Sequence, residues 1–397
     1  MFQKSRFRSH NRFQGGNRHF GHSRPKESIQ ASKYVNKTVS LENSFPEGIY
    51  VNQIKSFAEF PIDSRLKENI ASHGYTLPTP IQDQAMMHII NGRDVVGIAN
   101  TGTGKTAAFL IPLVNKIIGN RSEKVLIIVP TRELAVQIED ELRFFSKGLN
   151  ILSLLCIGGA SINRQIDALR LHPNIVIGTP GRLCDLIKRR FLPLADFHNI
   201  VLDEVDRMLD IGFIHDIKFI VSLLPINRQS LFFSATIPPE VTSVVQSFLK
   251  NPVTVSVKVK ETAHLIEQDV IRVQDKNQKV EKLKSMLREE EYKKVLIFGR
   301  TKWGVERLST TLQKHGFSAA SIHGNKTQNQ RLRVLAQFKE NQLQVLVATD
   351  VAARGLDIED VSHVINYDEP STYTDYIHRI GRTGRANKQG KALTFVM

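Results

Sequence analysis

The sequence predicts an α/β protein: two tandem domains with parallel sheets, a cleft between them, and a disordered basic N-terminal tail. Three observations predict it. From about Ile54 onward, short continuous Val/Ile/Leu runs alternate with helix-like stretches. Continuous runs, unlike alternating ones, mark strands buried on both faces of a parallel sheet. That rhythm occurs twice, with one break around residues 256–266. The length of 397 residues accommodates two or three domains.

The tail comes first, over residues 1–53. Its first 40 residues carry nine Lys or Arg and one Glu, with Phe2, Phe7, Phe13 and Phe20 spaced among Arg6, Arg8, Arg12, Arg18 and Arg24. Such a segment buries too little apolar surface to fold alone. Arginines interleaved with aromatics suit single-stranded nucleic acid, charge following the phosphates and rings stacking on bases; a solvated, inert tail is the other reading. The first domain spans 54–255, with strands at 95–99, 125–130, 151–157, 175–178, 199–203 and 230–235. A linker over 256–266 leads to the second domain, 267–397, with strands at 295–299, 319–324, 345–350, 363–368 and 391–396. Two α/β units joined once make the cleft between their C-terminal strand edges a natural ligand site.

With 41% hydrophobic and 23% charged residues, the composition is that of a globular protein. No apolar run approaches the roughly 20 residues of a membrane span, and MFQKSRFRSHNRF has no apolar segment behind its charge, unlike a secretory signal. Cys156 and Cys184 have no partner at metal spacing and read as packing residues in a reducing cytoplasm. The formal net charge of +15 points to a polyanion, most often nucleic acid.

After the strand VVGIA comes Asn100-Thr-Gly-Thr-Gly-Lys-Thr106, then the helix-like AAFLIPLVNKII. Gly102 and Gly104 let backbone N–H groups approach a phosphate, and the following helix N-terminus favours negative charge. Thr101 and Thr103 complete the turn. Lys105 would reach the outer phosphates and Thr106 would ligate Mg²⁺. Ala99 stands where the strict phosphate-loop pattern has glycine. This loop bears on VLDEVDRML (201–209). By itself the acidic cluster could be only a dipole-matched first helical turn. Beside a phosphate loop, Asp203 at a strand end can serve the metal, and Glu204 can orient or deprotonate an attacking water.

In their order, these motifs and those that follow resemble the DEAD-box RNA helicases of superfamily 2, over roughly residues 55–397. GIANTGTGKT, IHGNKTQNQR and VATDVAARGLDI look most like the bacterial RhlE-type subgroup. The resemblance implies two RecA-like domains that bind ATP, Mg²⁺ and RNA, single-stranded or in short duplexes. It also implies a cytoplasmic, monomeric enzyme with ribonucleoproteins as further partners. GYTLPTPIQ (74–82) is similar to the adenine-reading motif: Gln82 would pair with the adenine edge and Phe57 would stack on it. PTRELA, Gly158-Gly159 and TPGR resemble first-domain RNA motifs, implying contacts from Arg132, Gly159, Thr179 and Arg182, with a wedge helix at about 183–190. Arg132 could instead pair with Glu133. SAT implies coupling of Ser234 and Thr236 to Asp206.

In the second domain the resemblance implies RNA contacts from Thr301, Gln328, Arg331 and Thr349, and a ribose contact from Asp357. HRIGRTGR (378–385) resembles the arginine-finger motif, with Arg382 and Arg385 as fingers and His378 as the coupling residue. Cations this dense need an anion or carboxylates opposite. Two departures stand out: Val205 replaces the family's usual alanine, and the family usually adds at least one helix after the final strand. Two activities fit: an RNA helicase with real hydrolysis, or an ATP-gated RNA clamp with weak hydrolysis. The intact Lys105, Asp203, Glu204, Arg382 and Arg385 favour the first.

Overall fold

A computed structural model describes residues 54–397 except 55, 101, 238, 258–265, 354–357, 359 and 385–389. The tail, Thr101, Asp357 and Arg385 therefore lie outside the described residues. The first domain runs α1 (Ser64–Ser72), α2 (Pro80–Ile90), β1 (Val95–Ala99), α3 (Lys105–Gly119), β2 (Val125–Ile128), α4 (Arg132–Phe145) and β3 (Ser153–Cys156). It continues through α5 (Ile162–Leu169), β4 (Ile175–Gly178), α6 (Pro180–Lys188), β5 (Asn199–Asp203), α7 (Val205–Ile211), α8 (Ile214–Ser222), β6 (Gln229–Ser234), α9 (Pro239–Phe248) and β7 (Val253–Val257). The second domain comprises β8 (Ile266–Arg272), α10 (Lys276–Leu287), β9 (Val295–Phe298), α11 (Lys302–Lys314), β10 (Ala319–Ile322), α12 (Gln328–Lys339) and β11 (Val345–Ala348), then α13 (Asp350–Ala353), β12 (His363–Asn366), α14 (Tyr373–Ile380) and β13 (Gly390–Val396).

Both sheets are parallel throughout, in the orders β3-β4-β2-β5-β6-β1-β7 and β10-β11-β9-β12-β13-β8. The continuous apolar runs are explained by layers on both faces. In β2, Val125 and Ile127 enter one cluster while Leu126 and Ile128 enter another. In β9, Val295 and Ile297 face one cluster, Leu296 and Phe298 the other. Gly97 is required in β1, because a Cβ there would lie 2.5 Å from the Phe233 ring of β6.

The sequence-predicted linker was too wide. Ser256 and Val257 pair with β1 as part of β7, and Ile266 pairs with β13 as the start of β8. The core of that linker, 258–265, lies outside the described residues. The helix expected at about 183–190 begins at Pro180 and ends at Lys188. Proline's fixed φ suits a first helical position, and Arg190 turns out of the helix with φ 64°. The loops and helix starts that follow the C-terminal ends of the strands carry Gly102, Lys105, Arg132, Gly159, Thr179 and Glu204 in the first domain and Thr301, Gln328 and Thr349 in the second.

Candidate nucleotide and RNA site

Gly102 and Gly104 hold left-handed conformations, φ 82° and 89°, which turn the chain from β1 into α3. Lys105 opens the helix, is 6% exposed, and donates from Nζ to the Ala99 carbonyl at 2.9 Å. Thr106 follows it, half-buried. Asp203 ends β5 and is almost fully buried. Burial pushes its carboxyl up to about 6, with Lys105 opposing that shift. Among the described residues no three His, Cys, Asp or Glu side chains form a metal cage. A buried carboxylate at a strand end nevertheless fits a Mg²⁺ that keeps waters and ligand phosphates in its shell.

Glu204 adopts a left-handed backbone, φ 53°, steadied by its N–H donating to Asp203 Oδ1 at 2.9 Å. Its carboxylate pairs with Arg207 at 2.9 Å in a nearly dry setting. Arg207 also reaches the second domain, donating to the Val351 carbonyl at 2.9 Å. Asp206 is bonded to the SAT segment: Oδ2 accepts from Thr236 N–H at 2.9 Å and Thr236 Oγ1 at 2.8 Å. The Asp206 N–H donates to Ser234 Oγ at 3.3 Å, and Ser234 Oγ donates to the Thr236 carbonyl at 2.7 Å.

The two residues expected at the adenine both pack against protein in the conformation described. Gln82 is fully buried. Its Oε1 accepts from Thr79 N–H at 2.8 Å and its Nε2 donates to the Gly104 carbonyl at 3.0 Å. The amide therefore braces the phosphate loop from below, and a Cβ at Gly104 would collide with it. Phe57 is 4% exposed and packs on Phe60 and Tyr75, with centroids 6.0 and 5.9 Å away, leaving no open face for a base.

Arg132 lies across Gly158 and Gly159, where any side chain would strike its guanidinium. It is not the partner of Glu133. The carboxylate of Glu133, 2% exposed, receives Gln328 Nε2 at 3.0 Å and Arg331 at 3.0 Å, both from the second domain. Gln328 and Arg331, expected on RNA, are thus committed to an interdomain contact. Even so, Gln328 Oε1 is a buried acceptor with no partner among the described residues, and the Gln328 side chain lies against Gly159. Arg182 is half-buried and donates to Gln165 Oε1 at 2.7 Å and the Ala160 carbonyl at 3.3 Å. Thr179 sits at the N-cap of α6 without a side-chain cap bond.

On the second domain, Thr301 is exposed and accepts from Gly304 N–H at 3.0 Å, while Thr349 is 8% exposed. Arg382 is buried and donates from Nε to the His378 carbonyl at 3.3 Å. The crowded cations of 378–385 are partly answered within the protein. Arg379, 2% exposed, spans Asp350 Oδ2 at 2.8 Å, Asn366 Oδ1 at 3.1 Å and the Asp368 carbonyl at 2.6 Å.

Sequence reasoning missed Glu133, Arg207 and Arg379 as organisers. Only the excess of cations around Arg379 signalled a hidden carboxylate; the other two depend on partners well over a hundred positions away. Cys156 and Cys184 are buried and unlinked, their thiols pushed up to about 12 by burial, as packing residues should be.

Residues 79–244 match the DEAD/DEAH box helicase family model and residues 278–387 the helicase conserved C-terminal domain model. The chain is 46% identical over 343 residues to the ATP-dependent RNA helicase CshA of Listeria monocytogenes, covering 86% of this chain and 66% of that protein. Against CshA of Limosilactobacillus reuteri the identity is 45%, with 86% and 69% covered. The chain thus spans about two thirds of the length of these curated relatives. They carry the name CshA rather than RhlE, the subgroup its motif wording resembles. Among solved structures, Saccharomyces cerevisiae Dbp5 bound to RNA and ADP BeF3 matches with TM-score 0.77 at 30% identity, covering 86% of this chain and 90% of that one. Mss116p bound to ssRNA and AMP-PNP matches with TM-score 0.78 at 30% identity, covering 87% and 76%.

Proposed function

This chain belongs to the DEAD-box helicase family, and from that membership we propose that it is an RNA-dependent ATPase that separates short RNA duplexes or remodels RNA–protein complexes. The observation that carries the reading is a chain of interactions from the phosphate loop to the second domain. The Lys105 charge acts on Asp203, Glu204 N–H bonds to the Asp203 carboxylate, and Arg207 links Glu204 to the second domain. A ligand felt at the phosphate loop is therefore felt at the domain boundary.

In this reading the phosphate-loop amides and Lys105 hold the ATP phosphates, and Thr106 and Asp203 would hold Mg²⁺, which would supply positive charge against the phosphates. Glu204 orients and deprotonates the attacking water; His378, Arg382 and Arg385 bring positive charge from the second domain once the cleft is closed. Gln82, Phe57 and Asp357 complete the base and ribose side of the pocket, which requires Gln82 and Phe57 to shift from the packed positions described above. Arg132, Gly159, Thr179, Arg182, Thr301, Gln328, Arg331 and Thr349 follow the RNA backbone. Gln328 Oε1, without a partner among the described residues, supports this, since a ribose hydroxyl is a donor that could fill it. Backbone contacts of this kind carry no sequence preference. The tail, residues 1–53, adds cationic and stacking contacts. Monomeric action in the cytoplasm is part of the same proposal. No helix among the described residues is long and apolar enough to cross a membrane.

The Glu204–Arg207 ion pair favours a second reading, because a carboxylate oxygen engaged by an arginine is not free to face a water. In that reading the protein is an ATP-gated RNA clamp. One experiment separates the two. RNA should raise steady-state ATP turnover and DNA should not. Glu204→Gln should abolish turnover while ATP-dependent RNA capture survives. Capture without turnover in the unaltered protein supports the clamp; equal stimulation by DNA defeats the RNA assignment.

A further inference from the structure

Trp303 is the only tryptophan in the chain and stands 80% exposed. No aromatic or cation contact among the described residues engages its ring. An indole left in water is costly to keep without use, because its large apolar face gains most when covered. Its position limits what could cover it. Trp303 lies in the first turn of α11, which Thr301 caps by accepting from Gly304 N–H. The ring therefore rises from ordered backbone. Arg300 and Lys302 flank it in sequence and are exposed, and the end of the Lys302 side chain lies over Gly324.

One helical turn further on, Glu306 ties α11 to the loop after β10. Its carboxylate accepts from Ser321 Oγ at 2.5 Å and pairs with His323 at 2.9 Å and Lys326 at 3.2 Å. Trp303, Lys302 and that loop thus form one braced ledge on the edge of the second sheet that also carries Thr301 and Thr349. The helix-surface neighbours of Trp303, at three and four positions on, are Glu306 and Arg307. An apolar protein surface would find no continuous patch around the ring. A polyanion with aromatic faces finds both a ring and three exposed cations, Arg300, Lys302 and Arg307.

We infer that Trp303 is a base-stacking platform that holds one unpaired nucleotide at the outer end of the RNA track, next to Thr301. This rests on the RNA-binding reading above and adds a base-face contact to a surface otherwise confined to the RNA backbone. Stacking on an aromatic ring tolerates any base and favours the larger purines.

With only one tryptophan, the protein reports on its own contact. The full chain with AMP-PNP is titrated with oligoadenylate, with oligouridylate, and with an abasic oligonucleotide of the same length. Indole emission is followed beside the anisotropy of labelled RNA. Oligoadenylate should quench the emission in step with anisotropy, oligouridylate less, and the abasic strand little although it binds. Trp303→Ala should weaken oligoadenylate binding by about tenfold, Trp303→Phe by much less, and blunt duplex binding should change least. If anisotropy rises while emission stays flat and Trp303→Ala binds like the parent, the platform is overturned, the indole is left to a protein partner, and the RNA reading stands. Quenching equal with the abasic strand also overturns it, since domain closure alone would then dim the ring. If no RNA binds at all, the functional reading falls and the platform with it.

Discussion

Val205 is fully buried at the start of α7, and its methyls enter the cluster that covers one face of the first sheet. Its neighbours Glu204 and Asp206 hold the site contacts, so the residue that departs from the family pattern belongs to the core. Replacing it with alanine should cost about 1–3 kcal/mol of stability through lost burial and a residual cavity. ATP turnover should stay close to that of the parent. Thermal melting and steady-state turnover, measured together, check this: a large change in turnover at unchanged stability would move the valine into the catalytic cycle. The left-handed Glu204 beside it is a different case. A non-glycine residue held there costs on the order of 1–2 kcal/mol, offset by the bond its N–H makes to Asp203.

Central elements were legible, and of the four edge strands β7 and β8 were not. β2, β5 and β9 are covered on both faces and show as unbroken apolar runs. β7 and β8 each end a sheet. Their burial is intermittent, and their sequences, VTVSV and IEQDVIR, carry the polar residues an edge permits. That is why the expected linker ran over the end of one strand and the start of the other. The phosphate loop and acidic cluster were legible because their chemistry is local to a few residues. The packed states of Gln82 and Phe57 were not, since they depend on what surrounds them.

At the same scale, the Glu306 carboxylate is held down to about 2 from 4.5, first by Ser321, then by His323 and Lys326 against an opposing cost of burial. A depressed carboxyl adds stability above its unfolded value and loses it as pH falls through the folded one. The difference in melting temperature between the parent and Glu306→Gln should therefore be full above pH 4.5 and fade as pH falls toward 2. A difference that persists at the acid end would mean the ionised carboxylate is not the cause.

Across the whole molecule, Glu133 joins the domains by accepting from both Gln328 and Arg331. Glu133→Ala would leave two buried polar groups without their acceptor whenever the cleft closes. Hydrogen bonds to charged groups contribute about 1.5–3 kcal/mol. RNA affinity in the presence of AMP-PNP should therefore weaken by about tenfold or more, while nucleotide affinity without RNA stays unchanged. Equal losses in both would place the effect inside the first domain and not between the two.

The position of β1 bears on how the first domain is made. Its neighbours in the sheet are β6 and β7, the last two strands of that domain to be synthesised. Until β6 has left the ribosome, the strand that leads into the phosphate loop has bare hydrogen-bonding edges on either side, and until β7 follows it keeps one. Contacts this distant in sequence close slowly, and an apolar strand waiting unpaired is prone to wrong pairing. A nascent chain halted before β7 would display the phosphate-loop sequence without a nucleotide site, so ATP affinity should arrive late, at one step, as Val253–Val257 docks.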